Sequence, residues 1–253
     1  MIKKRKKKNL KIFFIFLILI IVLIFLAVIL PDKDTHPLGN ASGPVADTDP
    51  GSIPDYSGED YFIINDNIPS FTDEDVKNIT GEHYSELDSL GRCKTAFDLL
   101  DRSMMPDEKR GDISEVKPTG YKQKTYEGLI DFDPPYLYNR SHLIAYALTG
   151  QNANEKNLIT GTHHMNSESM FYYEDQVIRY LRDSNCHVLY RVTPYFKGNE
   201  LVARGVEMEA YSEEDKGSSI CFHVFVYNVQ PGIEIDYKTG DSKKADKNEY
   251  ILN

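Results

Sequence analysis

The amino-acid sequence predicts an α+β fold, in which helices flank a central antiparallel sheet and one N-terminal transmembrane helix precedes the domain. Three features of the 253-residue chain lead to this prediction. Residues 12–30 are apolar and carry no charge. Residues 166–185 place apolar side chains largely at steps of three and four, which is typical of an amphipathic helix. Residues 186–230 hold three segments rich in β-branched and aromatic residues, separated by short polar turns, as in an antiparallel meander.

The N-terminus predicts a membrane anchor. Residues 1–11 contain seven basic side chains and no acidic one, so they are expected to stay in the cytoplasm. The 19 apolar residues 12–30 nearly match a bilayer core of roughly 30 Å at about 1.5 Å per helical residue. A cleaved signal peptide is the alternative, but its apolar run is usually shorter and ends at a small-x-small site. Residues 31–253 would then lie outside the cell, either anchored by a single span or released by cleavage.

Composition divides the exported part into three segments. Residues 31–60 are rich in Pro, Gly, Asp and Ser and predict a flexible stalk. Residues 61–240 predict the folded domain, and residues 241–253 predict a polar, poorly ordered tail. Beyond residue 11 the chain has 22 basic and 39 acidic side chains, a formal charge of −17. Such a body does not bind nucleic acid through bulk electrostatics, so any site for a polyanion must be local.

Local patterns predict further elements inside the domain. Residues 92–101 alternate roughly between apolar and polar side chains and predict a strand, and residues 125–132 predict another. Residues 141–150 predict a short helix that ends at Gly150.

The three cysteines leave two interpretations open. Cys186 and Cys221 lie in apolar segments that could pair as strands, so one disulfide could form outside the cell. Cys93 would then remain free. Buried free thiols at all three positions are the alternative.

Residues 138–166, "YNRSHLIAYALTGQNANEKNLITGTHHMN", concentrate side chains that carry chemistry. A single histidine such as His142 is usually structural. Arg140 lies two residues before it, and in an extended segment both side chains leave the same face of the strand. The guanidinium of an arginine can bind phosphate oxygens while a neutral imidazole takes a proton from water. The pair therefore indicates phosphate chemistry.

Asn166, at the start of the long helix, has two interpretations. Its side chain could cap the helix, as could Ser167, or its amide oxygen could bind Mg²⁺, which keeps most of its waters and needs few protein ligands. Glu174 follows eight residues later, about 80° around an α-helix and about 12 Å along its axis. Its carboxylate could hold metal-bound water, or it could be a solvated surface group.

Three further polar residues lie in this region. Asn157 is either a turn residue or a residue that positions the loop. His163 and His164 are adjacent, so their side chains point in different directions and are poorly placed to bind one metal ion. A zinc hydrolase that uses His163 or His164 is nevertheless a distinct hypothesis.

The composite pattern N-R-S-H, N-L-I-T-G-T and M-N resembles the DNA/RNA non-specific endonucleases of the ββα-metal (His-Me finger) superfamily, in particular streptococcal secreted DNases and DNA-entry nucleases. The resemblance covers residues 65–240. It implies a ββα-metal nuclease core that hydrolyses phosphodiester bonds of DNA, and probably of RNA, without sequence preference, with Mg²⁺ or Mn²⁺ as cofactor. Many members have Asp where this chain has Asn139. The site residues that it implies are His142 as general base, Arg140 on phosphate, Asn166 on the metal, Glu174 in its outer sphere, and Asn139 and Asn157 in support.

A second class of function fits the same sequence. The chain could be a membrane-anchored nucleic-acid-binding protein, or a degenerate nuclease that binds without cleaving, because Asn139 replaces an acidic residue and the body is acidic. The sequence leaves the biological role, the oligomeric state and the existence of an inhibitor protein open.

Overall fold

A computed structural model describes residues 53–79 and 81–246. Ten strands and three α-helices are present in this part of the chain. The strands are β1 (Tyr61–Ile63), β2 (His83–Tyr84), β3 (Ala96–Leu100), β4 (Tyr138–His142), β5 (Leu158–Thr162), β6 (Val188–Tyr195), β7 (Gly205–Ser212), β8 (Cys221–Tyr227), β9 (Ile233–Asp236) and β10 (Asp241–Lys244). The helices are α1 (Asp73–Asn78), α2 (Tyr146–Thr149) and α3 (Met170–Asp183).

The central sheet confirms the predicted antiparallel meander. Its strand order is β1-β8-β7-β6-β3-β2, and β6, β7 and β8 are consecutive antiparallel neighbours. Side chains alternate between the two faces along each strand. On one face Val206, Met208 and Ala210 of β7 join the main hydrophobic core with residues of α3. The opposite face carries charged side chains of β6, β7 and β8.

The long predicted helix is confirmed, but it begins with a wider turn. Residues Met165–Ser169 form a π-helix that continues directly into α3. The capping prediction for Asn166 is wrong, because the chain enters this turn through His164 with helical dihedral angles and Asn166 lies inside the turn. Amphipathic spacing then buries one face of α3, including Val177 and Leu181, against the sheet.

The strands β4 and β5 form a separate antiparallel hairpin, in which Tyr138 pairs with Thr162 and His142 with Leu158. The π turn packs on this hairpin at Gly161. A Cβ atom at Gly161 would lie 2.6 Å from Cβ of Ser141 and 2.8 Å from Cε of Met165, so only glycine allows this close approach. The hairpin and the helix together form the ββα unit that carries the candidate site.

The structure corrects two predicted elements. In residues 125–132, only Thr125 makes a β-bridge, to Tyr136, and the N–H groups of Leu129 and Ile130 bond to the carbonyl of Tyr126 in a turn. The expected tail begins with the strand β10, which pairs with β9. Residues 247–253 lie outside the described part of the chain. The predicted strand 92–101 is present as the shorter β3. The helix predicted over residues 141–150 is present only as the shorter α2, because Ser141 and His142 pair in β4, and it ends as predicted at Gly150, whose φ is +69°.

The predicted anchor, residues 12–30, also lies outside the described residues. Within the described ranges no helix has the length and apolarity needed to span a membrane. The described residues 53–60 belong to the predicted stalk. One of them contacts the domain, because the carbonyl of Pro54 accepts a 2.8 Å hydrogen bond from the hydroxyl of Tyr227. The three cysteines are free thiols, and β7 lies between the two strands that Cys186 and Cys221 adjoin.

Candidate active site

A cleft of about 660 Å³ lies beside the start of the β4–β5 hairpin and the π turn. It contains three of the six site residues that the family resemblance implies: Asn139 and Arg140 from β4, and Asn166 from the π turn. Arg110, from the long loop before the hairpin, also lines it. Neither aspartate nor glutamate is among the described residues that line the cleft. A chain of strongly acidic composition therefore presents a local cationic cleft, as the charge argument required.

The guanidinium of Arg140 is held by the loop that closes one side of the cleft. Nε donates to the carbonyl of Val116 at 2.5 Å, Nη2 donates to the carbonyl of Ser114 at 2.8 Å, and Nη1 donates to the hydroxyl of Tyr121 at 3.3 Å. The guanidinium carbon also lies 4.5 Å from the centre of the Tyr121 ring. These contacts fix the arginine and occupy three of its five N–H donors, which leaves two for an anion.

His142 does not line the cleft. Its side chain is buried at the end of β4, where Nε2 lies 2.9 Å from the carbonyl oxygen of Asn152 and Nδ1 lies 3.3 Å from Nη2 of Arg110. A carbonyl only accepts and a guanidinium only donates, so the hydrogen resides on Nε2 and the lone pair on Nδ1. Arg110 therefore connects the imidazole to the cleft and covers its basic nitrogen.

The surroundings of His142 keep its ring uncharged at neutral pH. Burial lowers the pKa of His142 to about 4, and the positive charge of Arg110 acts in the same direction. The charge state is the one that a general base requires. The basic atom Nδ1 becomes available only when Arg110 moves away from it.

Asn157 holds the chain immediately after His142. Its Oδ1 accepts from the N–H of Ile144 at 2.9 Å, and its Nδ2 donates to the carbonyl of Ile144 at 3.0 Å. The carbonyl of Asn157 also accepts from the N–H of Leu143 at 2.9 Å. The side chain is fully buried and outside the cleft, so its role is to position the backbone that follows the histidine.

Asn166 fits a magnesium ligand by the chemistry of its surroundings. Its half-buried amide faces a cleft that also holds the amide of Asn139 and the hydroxyl of Ser167. Neutral oxygen donors with room for water suit Mg²⁺, which retains much of its hydration shell.

Glu174 is not part of this group. Its carboxyl is buried in the core, and burial raises the pKa of Glu174 to about 8. The predicted angle between Asn166 and Glu174 assumed a regular α-helix, whereas the first turn is a π-helix. The structure thus gives no contact between Glu174 and the cleft.

The adjacent histidines point in different directions, as the sequence predicted. His163 lines the cleft, and the centre of its ring lies 5.1 Å from that of Phe132. His164 instead binds carboxylates, with Nε2 2.7 Å from Asp60 and Nδ1 3.3 Å from Glu168. A zinc site that combines both rings is not formed.

A different set of metal-ligating side chains lies on the sheet face opposite α3. Ligand atoms of Glu207, Glu209 and His223 are all within 4.8 Å of one another. Arg191 already pairs with Glu209 at 2.6 Å, and Ser70 donates twice to the same carboxylate. The carbonyl of Ile68 lies 3.0 Å from Nδ1 of His223. Ion pairs and hydrogen bonds with other protein groups already engage this buried cluster. The cluster connects the sheet to residues 68–75.

Sequence reasoning missed Arg110. It lies in an irregular loop with no periodic pattern, and 32 residues separate it from His142. The only local signal is the dipeptide Lys109-Arg110 in a segment otherwise rich in acidic residues, glycine and proline.

Comparison with known proteins identifies the family to which the chain belongs. The sequence model of the DNA/RNA non-specific endonuclease family matches residues 73–214. A curated deoxyribonuclease from Streptococcus dysgalactiae subsp. equisimilis is 34% identical over 110 residues, which is 42% of this chain and 32% of that protein. The match thus spans about a third of that relative's length.

Three solved structures resemble the described fold. NucA from Streptococcus agalactiae with a magnesium ion bound superposes with a TM-score of 0.62 and 26% identity, covering 73% of this chain and 88% of NucA. The same protein without metal gives a TM-score of 0.61 and 28% identity over 73% of this chain and 87% of NucA. The Sda1 nuclease with a bound zinc ion gives a TM-score of 0.60 and 25% identity, over 74% of this chain and 97% of Sda1.

Proposed function

Because this chain belongs to the DNA/RNA non-specific endonuclease family, we propose that it hydrolyses phosphodiester bonds of DNA, and also of RNA, with a divalent cation held at Asn166. The observation that carries the proposal is the cleft itself. It places Asn166, Asn139, Arg140 and Arg110 around one space that has no acidic lining residue in the described part of the chain. Cationic and neutral oxygen-bearing groups around a common space suit a phosphate with an associated cation.

Asn166 is the residue that would hold the cation, with Asn139 and Ser167 beside it for water-mediated contacts. Mg²⁺ is the proposed ion because the donors are neutral oxygens, and NucA binds magnesium at this fold. When bound, the ion supplies charge stabilisation for the pentacovalent transition state. Zinc in Sda1 shows that this fold also accommodates a second metal ion type.

Arg140 and Arg110 bind the substrate phosphate. Arg140 is fixed by the carbonyls of Ser114 and Val116, so its two remaining N–H donors are already oriented when the strand arrives. Arg110 has fewer fixed contacts, and a phosphate in the cleft attracts its guanidinium away from Nδ1 of His142. Substrate binding thereby exposes the lone pair of the imidazole.

His142 then acts as general base. Its Nε2–H bond to the carbonyl of Asn152 fixes the ring and its tautomer. Nδ1 takes a proton from water, the water oxygen bonds to phosphorus, and the bond from phosphorus to the 3′ oxygen breaks. The 3′ oxygen takes up a proton from solvent, which leaves 5′-phosphate and 3′-hydroxyl ends. Asn157 positions this machinery through the backbone of Ile144.

Backbone recognition implies weak sequence preference, because phosphates are the same in every sequence. The N-terminal residues 1–30 place the domain on the outer surface of the cell membrane in this proposal. Uptake of foreign DNA, scavenging, escape from host DNA traps and attack on rival cells all suit such an enzyme.

A second function is a nucleic-acid-binding protein without cleavage. One observation favours it, because Arg110 covers Nδ1 of His142. The family resemblance also implies an acidic residue in many members where this chain has Asn139. Binding of a nucleic acid by the two arginines does not require a free imidazole. Cleavage requires the lone pair of Nδ1 to be accessible.

Nicking of supercoiled plasmid by the purified chain separates the two functions. We expect nicking with Mg²⁺, none with EDTA, and a loss of about 10²–10⁴-fold for His142→Ala, the usual contribution of a general base. His83→Ala, at an exposed histidine that does not line the cleft, is the matched control and should cleave like the wild type. Plasmid retained in a gel shift but never nicked would establish the binding protein instead. Equal rates for a folded His142→Ala variant and the wild type would remove His142 from the mechanism.

A further inference from the structure

Phe132 and His163, whose rings are in contact, form an aromatic wall of the cleft, and Tyr136 lines the same cleft. Phe132, Tyr136 and His163 all line it, together with Arg140 and Asn166. Phe132 is 60% exposed and Tyr136 is 43% exposed, although both are large and partly apolar. The centres of the Phe132 and His163 rings are 5.1 Å apart, with 36° between the ring planes. Isolated exposed aromatics are common, but a group of them that shares a cleft with two arginines needs a reason.

We propose that Phe132, supported by Tyr136 and His163, is a stacking platform for one nucleobase of the bound strand. This inference rests on the proposed function and names its substrate class, an unpaired strand or a locally melted duplex. A phosphate on Arg140 and Arg110 brings the attached nucleoside to the same cleft wall. Every base has a flat π-face, so an aromatic platform accepts all four bases and preserves weak sequence preference.

The charges next to Phe132 argue for a base rather than a phosphate at this wall. Asp131 and Asp133 flank Phe132 in the chain, both are exposed, and neither lines the cleft. Their carboxylates disfavour a second phosphate beside the ring. The positive charges of Arg140 and Arg110, which line the same cleft, favour a phosphate near them. A strand therefore enters with its backbone toward Arg140 and a base toward Phe132.

Stacking on a protein ring requires the base to leave its neighbours in a duplex. Extruding a base from a duplex costs the free energy of unpairing and unstacking, whereas in a single strand the base is already unpaired. We therefore expect a higher kcat/KM on a single-stranded oligonucleotide than on the duplex of the same sequence. The difference should depend on Phe132.

The test compares Phe132→Ala with Phe171→Ala, a second exposed phenylalanine, which lies on α3 outside the cleft. Substrates are a fluorescent single-stranded oligonucleotide, its duplex, and single strands with an abasic site at each position around the main cleavage point. Phe132→Ala should lower kcat/KM on the intact single strand roughly 5- to 100-fold, mainly through KM, which corresponds to the loss of one stacked base. An abasic site at the platform position should lower the wild-type rate similarly and make it insensitive to Phe132→Ala. Phe132→Tyr should restore most of the activity, and Phe171→Ala should match the wild type.

The outcomes separate this inference from the proposed function. If the wild type cleaves but Phe132→Ala matches it on all substrates, the platform is absent and the nuclease assignment stands. The platform is also overturned if the loss is the same on intact and abasic strands. If the wild type cleaves none of the substrates with Mg²⁺, the proposed nuclease function is wrong, and the stacking platform that rests on it is wrong with it. Phe132 is exposed, so the melting curve of Phe132→Ala should match that of the wild type. His163→Ala is a second variant that tests the same wall.

Discussion

Nη2 of Arg110 lies 3.3 Å from Nδ1 of His142, so a cation that belongs to the cleft covers the lone pair of the predicted general base. The opposite ring nitrogen is fixed by the carbonyl of Asn152. The imidazole is therefore uncharged and fixed in orientation, and its basic nitrogen Nδ1 is covered. Access to Nδ1 depends on the position of one guanidinium, which moves, in the proposed function, when a phosphate occupies the cleft.

The first prediction concerns the pH profile. An unperturbed histidine has a pKa of about 6.5, so its activity as a base would fall below about pH 6. Burial lowers the pKa of His142 to about 4, and the uncharged form therefore persists through pH 5. We expect the acid limb of log kcat/KM to have its midpoint below about pH 5.5, provided that circular dichroism shows a folded protein. A midpoint near pH 6.5 would mean that the base in the free enzyme is a solvated imidazole.

The second prediction is that Arg110→Ala raises the pKa of His142. The substitution opens the buried ring to water and removes a neighbouring positive charge, and burial and that charge are both causes of the depression. NMR titration of the ring carbon-bound protons should show the change directly. Arg102→Ala, at an arginine outside the cleft, is the control and should leave the titration of His142 unchanged. If Arg110→Ala also leaves it unchanged, the contact between the two side chains does not persist in solution.

The third prediction concerns Asn166. Because Asn166 lies inside the π turn rather than at its N-cap and is only half-buried, Asn166→Ala should change the melting temperature little. The same variant should lose most of its Mg²⁺-dependent cleavage, since the amide oxygen is the proposed ligand. Ser167→Ala, at the adjacent cleft residue, is expected to retain the greater part of the activity.

Binding of Mn²⁺ measured by electron paramagnetic resonance separates metal affinity from catalysis in these variants. We expect weaker Mn²⁺ binding for Asn166→Ala and near-normal binding for Ser167→Ala. Unaltered Mn²⁺ affinity in Asn166→Ala would show that the cation sits elsewhere. The buried cluster of Glu207, Glu209 and His223 would then be the next site to test.

The sequence predicts those parts of the fold that local patterns determine. The periodicity of residues 166–185 specifies α3, and β-branched residues specify the meander of β6, β7 and β8. Residues 125–132 resemble a strand in sequence, but Tyr126 and Ile130 pack in a small hydrophobic cluster with Leu137 and Tyr138 instead of lying in a strand.

The site was predictable only in part, for a similar reason. Arg140, Asn139 and Asn166 lie in one motif-rich segment and meet in the cleft. The burial of His142 depends on Arg110, which a long loop brings to the ring. No local pattern in a single sequence records a contact of that kind. The sequence also does not predict the π turn at Met165–Ser169, because its residues fit the spacing of a regular α-helix.

The last prediction concerns a buried carboxyl away from the site. Asp98 on β3 is fully buried, and neither carboxyl oxygen has a hydrogen-bond partner among the described residues. Burial, with a smaller contribution from Glu82, raises the pKa of Asp98 to about 7 from its ordinary 3.8. Between about pH 4 and 7 the unfolded chain is ionised at this position while the folded protein keeps the proton. Stability contributed by the protonated form is therefore lost as pH rises through that window.

Asp98→Asn removes this ionisation and should stabilise the protein more at pH 8 than at pH 5. The gap in unfolding free energy between the variant and the wild type should widen by roughly 1–3 kcal/mol over that interval, since one pKa unit corresponds to about 1.4 kcal/mol. Urea denaturation at both pH values measures the gap, with Asp107→Asn, at an exposed aspartate, as the control. A gap that does not change with pH would show that Asp98 is already ionised in the folded protein, held by a partner such as water or a cation.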